Sequence, residues 1–228
     1  MSTMTMMNDN ESFIREVNEE LRSEQMRSVW KRFAPLIIGG AALIVVGVAG
    51  TTAWQWWEGK QSSASGDRFL TALKDAGDNR TAEAEKELAA LSKDGFGAYP
   101  VLARMRLATL KAEKGDVPGA VADFSSIGKD SGIPESMRHV ARLRAAWLLI
   151  DSGDYAKVAA EVEELATPAS AMRHGAREAL GLTAYKSGDY AKARDWLQLI
   201  VDDANAPTGV ASRARTLLAL ITASGKLS

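Results

Sequence analysis

Cysteine is absent from this 228-residue chain. That removes disulfides, thiolate metal ligands and cysteine nucleophiles together. Histidine is scarce, with only His139 and His174. A two-histidine metal site needs a carboxylate partner at matching spacing, and none stands there. No metal or other cofactor is therefore expected. Charge of one sign is missing too: 28 Lys and Arg face 29 Asp and Glu, a formal net charge of −1. A nucleic-acid surface carries a basic excess, so that class is set aside. The sequence also lacks a Gly-rich phosphate loop, a nucleophile elbow and a metal-ligand helix. Strand signals are nearly absent. What remains is an all-α protein that binds rather than catalyses, with no catalytic residue assigned.

One long apolar run is present. Ala34–Trp54, "APLIIGGAALIVVGVAGTTAW", carries no charge over about 21 residues, enough to cross hydrocarbon as a helix. Pro35 reads as part of its first turn, where a missing N–H costs little. Trp30 and Phe33 flank one end and Trp54, Trp56 and Trp57 the other, as in an interfacial aromatic belt. The run begins too far from Met1, after several acidic residues, to read as a cleaved signal. Arg22, Arg27, Lys31 and Arg32 precede it closely, while Lys60 and Arg68 follow. This asymmetry favours a cytoplasmic N-terminus, with the bulk of the chain across the membrane. The expected division is 1–33 as a cytoplasmic segment, 34–57 as the transmembrane helix and 58–228 as a soluble domain. In the first segment Phe13, Ile14, Val17 and Leu21 form an apolar stripe on a short amphipathic helix. Within the span, Gly40, Gly47 and Thr51 are small enough to seat a second transmembrane helix.

The remainder is repetitive. Gly-Asp occurs at 77–78, 115–116, 153–154 and 188–189, and Ala-Arg at 103–104, 141–142, 176–177 and 214–215. Each unit reads as two helices. The glycine ends the first, because it enters the left-handed conformation cheaply. The aspartate caps the second by accepting from its free N–H groups. "GDYAKA" at 188–193 is therefore expected to be a turn, with Tyr190 toward the core and Lys192 toward solvent. Pro100, Pro134, Pro168 and Pro207 fall between units. Small residues stand before the glycine at Ala108, Ala146 and Gly181, and after it at Ala82, Ala120, Val158 and Ala193. Bulky Phe124, Val162 and Leu197 follow, then Ile127, Leu165 and Ile200. This spacing resembles the tetratricopeptide repeat over residues 68–222. It departs from it in a longer period and in Arg104, Arg142 and Arg177, which stand where a large aromatic is common. An irregular superhelix is expected.

The tetratricopeptide resemblance places a binding groove on the first helices, ten, six and three residues before the glycine. Those positions hold Met105, Thr109 and Ala112; Leu143, Trp147 and Ile150; Glu178, Leu182 and Tyr185. The set is mostly apolar and suits an unfolded segment or a partner's hydrophobic helix. Met105, Leu143, Trp147, Ile150, Leu182 and Tyr185 are the candidate contacts. The alternative is a groove covered by the helix around Asp67–Lys74 or by the last helix.

The layout as a whole resembles one family. "FIREVNEELRSEQMRSVWKRF" precedes a single span ending "AWQWWEGKQ"; a helix at "ASGDRFLTAL" and the repeats follow. This is similar to the ancillary SecYEG translocon subunits of the bacterial inner membrane, in their alphaproteobacterial form. The resemblance implies a single-pass protein with a periplasmic repeat domain. Its partners would be Sec translocon subunits, a membrane-anchored periplasmic chaperone and unfolded secreted clients. A scaffold subunit of another cell-envelope assembly is the alternative reading.

Overall fold

A computed structural model describes residues 5–225; side chains are described at Arg27 and from Trp30 on, except Ala34, Ile37 and Ala41. The apolar stripe expected at Phe13, Ile14, Val17 and Leu21 lies outside the described side chains. The described residues are helical, without a strand. They divide into two compact units, Met1–Lys60 and Gln61–Ser228.

The first unit is the N-terminal part of helix α1 (Thr5–Gly77). One helix among the described residues is long and apolar enough to cross a membrane, the stretch Trp30–Gly77 of α1. Its aliphatic side chains are bare: Leu43 is 76% exposed and Val46 69%. Water would penalise such a surface strongly, whereas hydrocarbon would not. Two threonine hydroxyls midway along this stretch are satisfied locally. Thr51 Oγ1 and Thr52 Oγ1 both donate to the Val48 carbonyl, at 3.0 and 2.8 Å. Pro35 stands well inside α1 and not in its first turn. Its helix therefore forgoes one backbone hydrogen bond at that point. At the far end Trp54 and Trp57 pack with ring centroids 5.5 Å apart, and the Lys60 ammonium sits over the Trp56 ring at 5.3 Å.

The second unit is a succession of helix pairs. After the last turns of α1 come α2 (Thr81–Asp94), α3 (Tyr99–Glu113), α4 (Val117–Lys129), α5 (Glu135–Leu149), α6 (Tyr155–Val162), α7 (Arg173–Lys186), α8 (Tyr190–Val201) and α9 (Thr208–Ala223). Tight 3-10 turns extend α5 over Ile150–Ser152 and α6 over Glu163–Ala166. From α2 on, each helix packs on the next in sequence, the last turns of α1 share a core layer with α2 and α3, and α7 also touches α5 and α9. The even-numbered helices are thus each held between two odd-numbered ones. The core follows the same rhythm. Leu88 and Leu91 of α2 pack between α1 and α3. Phe124 and Ile127 of α4 lie between α3 and α5. Val158 and Val162 of α6 lie between α5 and α7, and Leu197 and Ile200 of α8 between α7 and α9. Each such side chain contributes about 1.5–3 kcal/mol on burial, and each layer depends only on its neighbours.

The turns explain the repeat. Gly115, Gly153 and Gly188 all have positive φ, at 89°, 67° and 84°. The aspartate after each is an N-cap: Asp116, Asp154 and Asp189 accept from the N–H groups of Gly119, Lys157 and Lys192 at 2.9, 3.2 and 3.0 Å. The first Gly-Asp pair behaves differently. Gly77 is the last helical residue of α1, and the left-handed residue is Asn79, with φ 62°. Asp78 caps nothing; Arg80 stands at the start of α2 without a side-chain cap. The register of α2 moves two residues accordingly. Ala82 is exposed and Ala84 takes the buried small position. At the helix crossings Ala108, Ala146 and Gly181 are all buried, as the spacing predicts. A Cβ on Gly181 would lie 2.9 Å from Leu197 Cγ, so α7 and α8 meet there at a distance only glycine allows.

Candidate protein-binding groove

The odd-numbered helices place the groove positions. On α5 the i, i+3, i+4 and i+7 steps bring Val140, Leu143, Arg144 and Trp147 to one face. They line an open depression of about 350 Å³. Trp147 is 38% exposed and Val140 37%, so both present apolar surface to solvent. A second depression, of about 300 Å³, lies where α7 meets α9, with Leu182, Leu217 and Leu220 on its walls. Helix α9 lines this face beside Leu182. Leu220 is 53% exposed at its rim.

The other groove residues are partly or wholly engaged within the fold. Met105 is half-buried against the layer of Phe124 and Ile127. Ile150 is buried in the core, because the chain tightens into the 3-10 turn at that residue. It supports the groove from beneath. Tyr185 is half-buried, with its ring edge-on to Tyr190 at 5.4 Å. Glu178 is only 3% exposed and takes two hydrogen bonds from the Arg213 guanidinium, 2.6 and 2.9 Å long. This bidentate pair, its carboxylate buried and its guanidinium largely exposed, ties α7 to α9 and leaves no free carboxylate at that point of the groove. In the apolar helix α1, a Cβ added at Gly40 or Gly47 would meet nothing within 4 Å among the described residues.

Three repeat-related arginines carry a structural task that the spacing alone did not reveal. Arg104 Nη1 donates to Asp130, just past the end of α4, at 3.1 Å. Arg142 reaches Glu164 at 2.9 Å and the Ala160 carbonyl, at the end of α6. Arg177 donates to the Ala166 and Leu199 carbonyls at 3.0 and 2.9 Å. In each unit the first helix thus sends a cation to the C-terminal end of the second, where orphan carbonyls and the negative dipole end gather. Arg177 is the most buried of the three. Burial pulls its guanidinium below the usual range, and nearby Asp203 pushes back. Asp203 itself is held well below the ordinary carboxylate range, first by Arg173 at 2.7 Å, then by the Asn205 N–H and by His174 at 2.8 Å. His174 is therefore part of an ion-pair node, while His139 faces Glu135 at 3.5 Å. Among the described residues no group of acidic or histidine side chains is arranged to hold a metal ion.

The Tyr190–Lys192 segment is also accounted for. Asp189 caps α8 and pairs with the Lys192 ammonium at 3.0 Å. That ammonium lies 4.4 Å from the centre of the Tyr155 ring, and Trp196 donates to the Tyr155 hydroxyl at 2.8 Å. The cluster joins α6 to α8.

Helix pairs with a left-handed turn residue, a capping aspartate and a small residue at the crossing define a tetratricopeptide-like α-solenoid, a class that binds other proteins. The chain belongs to the tetratricopeptide repeat-like domain family, whose sequence pattern matches residues 27–206. No curated protein and no solved structure matches it.

Proposed function

We propose that this chain is a membrane-anchored periplasmic binding module that works beside the Sec translocon, where it and a membrane-anchored chaperone assist unfolded secreted or envelope proteins. The observation that carries the reading is the apolar surface left open at two depressions on odd-numbered helices of a protein-binding fold, one at Val140 and Trp147, the other lined by Leu182 and Leu220. The bare apolar stretch of α1 supports the anchor. The basic residues that precede it support a cytoplasmic N-terminus. The division into a segment 1–33, a span 34–57 and a repeat domain 58–228 follows from that reading. Gly40, Gly47 and Thr51 are the face offered to a translocon helix. Met105, Leu143, Trp147, Leu182 and Tyr185 are the face offered to clients, with Ile150 as support. The layout resembling ancillary translocon subunits points to the same partners.

Photo-crosslinking in cells tests this directly. A probe at Gly47 is expected to capture translocon subunits, and a probe at Trp147 a chaperone or secreted clients. Capture of one fixed envelope assembly, with no secretory protein at either position, would replace the translocon reading with a scaffold. A reporter fused after Ser228 is expected to be active only in its periplasmic form.

A further inference from the structure

The groove has a charge rule as well as an apolar floor. Arg106 and Arg144 are equivalent residues, each nine positions before the left-handed glycine of its unit, Gly115 and Gly153. Arg106 is neutralised within its own helix, donating to Glu113 at 3.0 Å. Arg144 is exposed and has no carboxylate partner among the described residues. It stands in the wall of the 350 Å³ depression, beside Trp147 and Val140. Asp151, the counterpart of Glu113, pairs instead with Lys186, and Glu178 of α7 is buried and already satisfied by Arg213. The strip therefore offers one unopposed cation next to an apolar socket.

We propose that the α5 socket selects partner segments in which a bulky apolar side chain is flanked by an aspartate or glutamate, the side chain entering between Val140, Leu143 and Trp147 and the carboxylate meeting Arg144. This deepens the binding reading above and rests on it. An arginine fork matches a carboxylate in two-point geometry. The apolar contact supplies most of the affinity, and the charge decides which segments are accepted. A basic flank would place two cations together beside a low-dielectric surface and is rejected.

The test uses the full chain in detergent micelles and two labelled peptides of about 18 residues, long enough for an Ala-rich helix. Both carry the same Leu and Phe stripe; one has Glu beside the stripe and its twin has Lys. Fluorescence anisotropy is expected to show the Glu peptide binding about tenfold tighter, a preference that fades as salt screens it. The exposed substitution Arg144→Glu is expected to reverse the preference with helical content unchanged. Trp147→Ala is expected to weaken both peptides. Equal binding of the twins, or an Arg144→Glu variant that keeps the original preference, overturns the proposal. So does self-association of the chain that neither peptide displaces, since a second copy then fills the socket. If neither peptide binds while probes at Trp147 still capture secreted proteins, the charge rule falls and the binding reading stands. If the twins discriminate but those probes capture no secretory protein, the charge rule stands and the translocon reading falls.

Discussion

Asp189 shows how a residue that looks chemical can be architectural. Its carboxylate accepts the Lys192 N–H and pairs with the Lys192 side chain, and these two bonds hold it below its usual range. Asp189→Ala removes the cap and is expected to lower stability by about 1 kcal/mol. Urea unfolding should show a lower midpoint at unchanged slope. Peptide binding by the folded fraction should be unchanged; a fully folded variant that no longer binds would contradict the capping role. Asp203 gives a pH prediction. Its carboxyl titrates below the ordinary value because Arg173, the Asn205 N–H and His174 favour its charged form. A depressed carboxylate contributes stability that is complete above the unfolded value, about 3.9. That contribution declines as pH falls toward the folded value. The wild type should therefore lose stability on acidification below about pH 4 more steeply than Asp203→Asn. Parallel acid limbs in the two proteins would show that the node is not felt in folding.

At the scale of the element, Arg177 is the most consequential side chain of α7. It satisfies two carbonyls, those of Ala166 and Leu199, from a position 5% exposed. Arg177→Met keeps the length and loses both bonds. It is expected to cost about 1–3 kcal/mol, the usual penalty for buried acceptors left without partners. Loss of protection in hydrogen exchange should concentrate at the end of α8 and around Glu163–Ala166. Uniform loss throughout the second unit would mean that the arginine holds the whole fold rather than two helix ends. The sequence shows these arginines recurring but not their purpose, since the carbonyl and carboxylate partners lie at the far ends of other helices. The helix pairs themselves are legible, because a left-handed glycine and a capping aspartate are local demands written in adjacent letters. The same letters mislead at 77–78. There α1 runs through Gly77, and Asn79, of the next most permissive residue type, takes the left-handed turn. The spacing of Ala84, Leu88 and Leu91 counts correctly from Asn79 and not from Gly77. In the groove, helical spacing places Leu143 and Trp147 on one face, but it cannot foresee the 3-10 tightening that turns Ile150 into the core.

At the scale of the whole molecule, the two units carry their apolar side chains differently. The four core layers run from Phe69 to Ile221, wholly within Gln61–Ser228. The exposed apolar side chains Leu36, Ile38, Leu43, Ile44, Val45, Val46 and Val48 fall wholly within Met1–Lys60. Because repeat layers are stabilised by their neighbours, no layer of the second unit requires a residue of the first. A fragment beginning at Gln61 is therefore expected to express in soluble form, to show the helical signal of the repeats, and to unfold in one cooperative step. The full chain is expected to need detergent or lipid, since its bare apolar helix would otherwise associate. The two should share the same denaturant midpoint for the repeat layers. A fragment that aggregates, or that keeps helix without a cooperative transition, would show that residues 1–60 contribute to folding the repeats. Equal midpoints would instead mean that the groove's shape and its charge rule belong to α5, α7 and α9 alone, independent of residues 1–60.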